Sequence, residues 1–353
     1  MQELESRIKN IKIQVDASVI DALRQMDRVN RKLLLVFNND LFVNVLSIGD
    51  IQRGILKKFP LSVKIKEVLR DKTKIAKEAE SFDSIKKVME KNRIECMPVV
   101  DDLGNLVNVY FWEDVFGKAK KRIHSALGIP VIIMAGGKGT RLKPLTNVIP
   151  KPLIPIEENT IIEEIINRFV EVGCDNFYLS VNYKAEMIKY FFEQIADKNY
   201  SIDYFQETQP LGTAGSLFLI KNKINTTFFV SNCDIIINEN YAEILRYHKE
   251  NNNELTIVSA LKHYPIPYGT IETAKDGILT DLVEKPELTF QINTGMYILE
   301  PHLLDEIPEN IFFHITHLIE NIIKRNGKVG VFPISEGSWI DIGNWSDYLK
   351  IMK

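Results

Sequence analysis

Val131-Ile132-Ile133-Met134-Ala135-Gly136-Gly137-Lys138-Gly139-Thr140-Arg141-Leu142 is an apolar run that empties into a glycine-rich turn and then meets an arginine. Pro150-Lys151-Pro152 follows, a lysine locked between two prolines. Glycines let successive backbone N–H groups wrap an anion, and Arg141 and Lys151 can meet the charge that the backbone leaves unneutralised. A tight structural turn would account for the glycines alone, but it needs neither cation. The loop is not of the Walker A type, because Gly139 stands after Lys138, and Leu142 replaces the third glycine of a dinucleotide fingerprint. The reading is a strand followed by a phosphate-binding turn suited to a nucleoside triphosphate, with Ala135, Gly136, Gly137, Gly139 and Thr140 around it.

Downstream, apolar strands alternate with amphipathic helices. Strands are expected at residues 131–135, 176–181, 227–231 and 255–260, and helices at 161–172, 185–195 and 242–250. This pattern predicts an α/β fold, Rossmann-like, with a mainly parallel mixed sheet. Ligands of such sheets bind at the carboxyl ends of the strands, which is where the glycine turn falls. Gln209-Pro210-Leu211-Gly212-Thr213-Ala214-Gly215 offers a bare backbone at a helix start, fit for a base or a phosphate, or else for close helix packing. Phe228–Asp234 is an apolar run ending in a carboxylate, which suits a hard cation or a helix N-cap. Asp341, in Trp339-Ile340-Asp341-Ile342-Gly343, is a second such carboxylate. Cys233 reads as a buried filler, with no base near it in sequence.

These motifs, in this order, resemble the signature of the sugar-1-phosphate nucleotidyltransferases from about Ile129 to the C-terminus. The resemblance implies transfer of a nucleoside monophosphate from an NTP to a sugar 1-phosphate, with release of pyrophosphate. It implies catalytic roles for Arg141 and Lys151, and Mg²⁺ held by Asp234 and Asp341. Gln209 and Gly212 would lie beside the base. Gly269, Glu284, Lys285 and Asn293 would meet the sugar phosphate. The proline-leucine-glycine loop is common in guanylyltransferases, so GTP with mannose 1-phosphate or glucosamine 1-phosphate is expected. Uridylyl or cytidylyl transfer to glucose 1-phosphate is the alternative.

The first half carries an internal repeat. Leu34–Phe37, Val43–Leu46 and Gly49–Ile51 recur at one constant interval as Pro98–Asp101, Val107–Tyr110 and Glu113–Val115. It resembles a pair of cystathionine-β-synthase (CBS) domains, an α+β module, at about 8–56 and 65–117. The predicted organisation is therefore a CBS pair over 1–120, a linker over 121–130 containing part of the basic run Lys118–Arg122, and the transferase over 131–353. Such pairs bind adenine nucleotides, and the ribose-binding pattern fits Ser47-Ile48-Gly49-Asp50. The second copy, Phe111-Trp112-Glu113-Asp114, lacks the hydroxyl residue, and Asn44 and Asn108 stand where the family has glycine. A structural, dimerising module is the other reading. The combination resembles guanylyltransferases of surface-glycan and nonulosonic acid synthesis; an adenine-nucleotide sensor with a decayed transferase half is the reading from another class.

The 44 basic and 47 acidic residues give a formal charge of −3, which offers nucleic acid no general attraction. Three scattered cysteines with no CxxC pair suggest reduced thiols and a cytoplasmic setting. No apolar run approaches the length of a membrane span, and a homo-oligomer is expected.

Overall fold

A computed structural model describes residues 2–71, 73–92, 94–116 and 126–351. The whole of the expected basic run, Lys118–Arg122, and residues 121–125 of the expected linker lie outside them. The chain divides into two compact units, Met1–Arg122 and Ile123–Lys353.

In the first unit, α1 (Gln2–Ile8) precedes β1 (Lys12–Gln14), α2 (Val19–Val29), β2 (Leu33–Asn38), β3 (Leu41–Ser47) and α3 (Ile48–Leu56). The same order returns as β4 (Ala76–Lys77), α4 (Phe82–Asn92), β5 (Cys96–Val100), β6 (Leu106–Phe111) and α5 (Trp112–Phe116). Each set makes a three-stranded sheet in chain order, with the first pair parallel and the second antiparallel. In both hairpins one residue is skipped in the register, Val43 and Val107, and the next residue's amide oxygen, on Asn44 or Asn108, accepts the following backbone N–H. An asparagine in place of glycine thus caps each bulge. The helix α2 starts at a Ser18–Asp21 capping box and buries Val19, Ala22, Leu23 and Met26 on one face.

The second unit is built on a seven-stranded sheet. Its strands are β7 (Val131–Met134), β10 (Asn176–Val181), β11 (Ser201–Gln206), β12 (Phe228–Asn232), β14 (Leu255–Pro265), β17 (Glu287–Leu299) and β18 (Val329–Ser335), in the spatial order β11-β10-β7-β12-β17-β14-β18. Only β17 runs against the others, so the sheet is mixed and mainly parallel. Alternate residues explain why it sits in the middle. Val131 and Ile133 enter one core cluster while Ile132 enters the other, as do Phe229 against Phe228 and Val230. On the first face pack α6 (Ile161–Val170) and α7 (Ala185–Glu193); α10 (Ile315–Lys324) packs on the second. Thr160 and Glu163 form the capping box of α6, whose Ile161, Ile162, Ile165, Ile166 and Phe169 are all buried. Each such side chain contributes about 1.5–3 kcal/mol by leaving water.

The expected strands and helices are present with shifted ends. The helix α6 stops at Val170, before Gly173 (φ 78°), where a Cβ would sit 2.5 Å from Ala126 Cα. The strand β14 runs on past Ala260 to Pro265. There it pairs with Glu287–Ile292 of β17 as a ribbon beyond the sheet's carboxyl edge. Beside it are the hairpin strands β15 (Thr270–Thr273) and β16 (Leu279–Val283). The remaining elements are β8 (Pro155–Ile156), β9 (Asn159–Thr160), α8 (Gly212–Gly215), β13 (Ile235–Ile237), α9 (Tyr241–Glu250), β19 (Trp339–Asp341) and α11 (Trp345–Ile351).

Candidate active site

The glycine turn leaves β7 at the carboxyl edge of the sheet and lines a cavity of about 470 Å³. Gly136, Gly137, Gly139, Thr140, Arg141 and Lys151 all face it. Ala135 is buried just behind, its N–H donating to the Ser180 carbonyl. Gly139 is left-handed (φ 61°), and a Cβ there would lie 2.9 Å from both Lys151 Cβ and Thr146 Cγ2. Its bareness lets the lysine stem pass behind the turn. Lys151 opens a short 3₁₀ turn after Pro150 and is only 6% exposed. Its Nζ lies 2.6 Å from Asp234 Oδ2.

Asp234 and Asp341 are far apart in sequence and adjacent in space. The strands β13 and β19 pair antiparallel with Ile235 opposite Asp341, and Ile342 N–H donates to the Asp234 carbonyl at 2.8 Å. Gly343 lets Arg141 close the cluster: a Cβ there would sit 2.7 Å from Asp341 Oδ1 and 3.0 Å from both Arg141 terminal nitrogens. Burial, and then the negative charge of Asp234, push the Asp341 carboxyl above its ordinary value of 3.8, against the lowering influence of the Gly343 N–H, Lys151 and Arg141. The Cys233 thiol, beside them, is pushed up to about 12 by burial, which keeps it a thiol and no nucleophile.

This has a consequence for stability. The folded protein holds a proton at Asp341 more readily than the unfolded chain does. Its carboxylate therefore costs stability above the raised value, and the cost disappears as pH falls below 3.8. Asp341→Asn in metal-free protein is expected to melt higher than wild type at pH 7, with the gap closing toward pH 3.5. A variant that melts lower at pH 7 contradicts this electrostatic account.

The base-side loop differs from expectation in detail. Gln209 does not line the cavity; its Nε2 donates to the Asn310 carbonyl. Glu207 lines it instead, fixed by Ser180 Oγ at 2.9 Å and by the Leu211 N–H at 3.0 Å. Gly212 does line it, but the missing Cβ serves close packing, since a Cβ would meet the Phe313 carbonyl at 2.7 Å. Asn182, Asn232 and Phe312 are further lining residues outside the expected set.

Gly269, Glu284, Lys285 and Asn293 do not line this cavity. They lie on or beside the ribbon and hairpin at the same carboxyl edge. Gly269 and Glu284 are together there, with Glu284 Oε2 3.0 Å from where a Gly269 Cβ would be. Lys285 is left-handed (φ 47°), and Asn293 donates to the Tyr297 hydroxyl at 2.8 Å. In the first unit, Ser47 and Asp50 form the capping box of α3. The Asp50 side chain is fully buried and also pairs with Arg53 and with Arg70 Nε, at 2.7 Å to the latter. Its carboxylate, at the position expected to meet a ribose, is thus taken up by the helix cap and the two arginines.

The nucleotidyl transferase family pattern matches residues 130–353, which span the sheet, the glycine turn and both site carboxylates. The chain belongs to that family. Among its relatives are probable mannose-1-phosphate guanylyltransferase 3 of Oryza sativa subsp. japonica, 34% identical over 228 residues, and the mannose-1-phosphate guanyltransferase of Pichia angusta, 36% identical over 230. These alignments cover 62–63% of this chain and 62% of each relative, so the chain spans about three fifths of the length of the relatives it matches. Among solved structures, HddC from Yersinia pseudotuberculosis is 28% identical with a TM-score of 0.51, covering 64% of this chain and 98% of that one.

Proposed function

We propose that the protein transfers GMP from GTP to a sugar 1-phosphate of the mannose or glucosamine class, giving a GDP-sugar and pyrophosphate. One observation carries the reading: Arg141, Lys151, Asp234 and Asp341 meet at the carboxyl edge beside a glycine turn. The names of the relatives, mannose-1-phosphate guanylyltransferases, support GTP and the sugar class.

The attacking group, a sugar phosphate, is already anionic and needs no general base. That agrees with the inert Cys233 and with a cavity lined by no histidine among the described residues. What remains is to bring two anions together, a task of positioning and charge stabilisation. The turn backbone and Arg141 hold the leaving pyrophosphate. Lys151, fixed by Asp234, faces the α-phosphoryl group and the incoming phosphate. Lys285 and Glu284 on the ribbon hold the sugar phosphate and sugar hydroxyls.

The donor set suits Mg²⁺: two carboxylates brought together by the β13–β19 pairing, one of them raised by burial and then by the other's charge, both of which a hard cation offsets. When bound there, Mg²⁺ supplies Lewis-acid stabilisation of phosphoryl oxygens. Asp234 and Asp341 would hold it, with the Lys151 ammonium beside them.

We read the first unit as a CBS pair, on the strength of its two halves of like element order, with a structural or assembling role. The capping of Asp50 argues against a nucleotide at Ser47 and Asp50. We place the protein in the cytoplasm as a homo-oligomer, serving surface-glycan synthesis; among the described residues no helix is long and apolar enough to cross a membrane.

The test is a pyrophosphate-release assay crossing four NTPs with mannose, glucosamine and glucose 1-phosphates. GTP with mannose or glucosamine 1-phosphate is expected to give the highest kcat/KM. Preference for UTP or CTP with glucose 1-phosphate overturns the assignment of base and sugar, and silence with every pair overturns the transferase reading.

A further inference from the structure

Residues 310–314 form a strap bound to the base-side loop. The Phe313 carbonyl accepts from the Ala214 and Gly215 N–H groups at 3.0 and 2.9 Å, and the Phe313 N–H donates to the Leu211 carbonyl at 2.8 Å. Gln209 Nε2 reaches the Asn310 carbonyl, and the Ile315 N–H reaches Thr213 Oγ1, both at 3.1 Å. Gly212 and Gly215 permit this closeness: a Cβ on either would come within 2.7 Å of a strap carbonyl. The strap's two adjacent phenylalanines part company. Phe313 packs against the second core cluster, while Phe312 faces the cavity mouth beside Pro210, Gly212 and Thr213 and is 55% exposed. Its ring lies against that of His314, nearly perpendicular at 4.7 Å between centroids.

We propose that Phe312 is the stacking platform for the nucleobase of the bound triphosphate. This rests on the transferase reading above and adds a residue that none of the sequence motifs contains. The phosphates belong beside Arg141 and Lys151, and Pro210, Gly212, Thr213 and Phe312 line the same cavity. A large, half-exposed apolar ring on the wall of a cavity that also presents Arg141, Lys151 and Asp234 does nothing for phosphate chemistry, but it offers a π-face that any base can cover. Its backbone is fixed by hydrogen bonds on both sides, so little ordering remains to be done on binding. Stacking of this kind contributes affinity and is tolerant of which base is bound.

The test is calorimetric binding of GTP and of inorganic tripolyphosphate, which has no base, to wild type, Phe312→Ala and Phe312→Trp. Phe312→Ala is expected to weaken GTP by about tenfold or more, the size of base-on-ring stacking, with tripolyphosphate and melting temperature unchanged. Phe312→Trp is expected to restore GTP binding. Equal GTP binding by wild type and Phe312→Ala, or equal losses for GTP and tripolyphosphate, overturns the stacking role while leaving the transferase reading intact. Failure of wild type to bind GTP at all sinks both.

Discussion

Lys151→Met is expected to lower kcat by about 10²–10³-fold, the cost of removing one preorganised charge-stabilising donor, in a protein that still folds. Methionine keeps the stem that threads behind Gly139 and deletes only the cation. Lys151 as a residue is 6% exposed and its Nζ is 2.6 Å from Asp234, so water does little to replace the cation. A lysine that merely neutralised Asp234 would leave kcat per folded molecule preserved, whatever loss of melting temperature follows from breaking the pair. Arginine is a poor substitute, because its planar fork does not fit a channel shaped for a single stem. Steady-state turnover alongside a melting curve separates the two outcomes, and near wild-type kcat in Lys151→Met removes the residue from the chemistry.

Asp234→Asn should cost a comparable factor in turnover and should also destabilise the fold. It strands the Lys151 ammonium, which is almost wholly shielded, without its partner. Breaking a buried pair from one side costs about 3–5 kcal/mol, and less here because the Asp234 side chain is 20% exposed. The contrast with Asp341→Asn is diagnostic. Both variants lose turnover, yet one melts lower than wild type and the other higher, because Asp234 carries the ion pair and Asp341 carries the repulsion. If both variants shift the melting temperature in the same direction at pH 7, the charge layout proposed for the pair is wrong.

The sheet and its glycine turn could be read from residue order alone, since unbroken apolar runs and a cluster of glycines leave local marks. The meeting of Asp234 and Asp341 could not. It depends on two strands of three residues each, β13 and β19, too short to announce themselves, and the carboxylates were paired in advance only through a family resemblance. Gln209 looked like the base-side contact because it opens the proline-leucine-glycine motif, yet its amide is spent on the Asn310 carbonyl. Glu207, two residues earlier, faces the cavity because Ser180 and the Leu211 N–H fix its two oxygens, and Ser180 is brought there only by tertiary folding. Phe312 was hidden for another reason: in Ile311-Phe312-Phe313 every residue is apolar, and only the strap's hydrogen bonds decide which ring turns outward. The Ser47–Asp50 pattern shows the converse hazard. A hydroxyl followed three residues later by a carboxylate is also a helix capping box, and here that local role takes up both side chains.

In the proposed reaction an oxygen of the sugar phosphate attacks the α-phosphorus of the triphosphate at the Lys151–Asp234–Asp341 cluster. Single-turnover reaction of the full chain with α-³²P-labelled GTP, mannose 1-phosphate and Mg²⁺ tests it directly. The label is expected to appear in the GDP-sugar, with all pyrophosphate unlabelled and with no product formed by Lys151→Met on the same timescale. Label released as free GMP, or none transferred to sugar while the nucleotide is bound, would contradict the account.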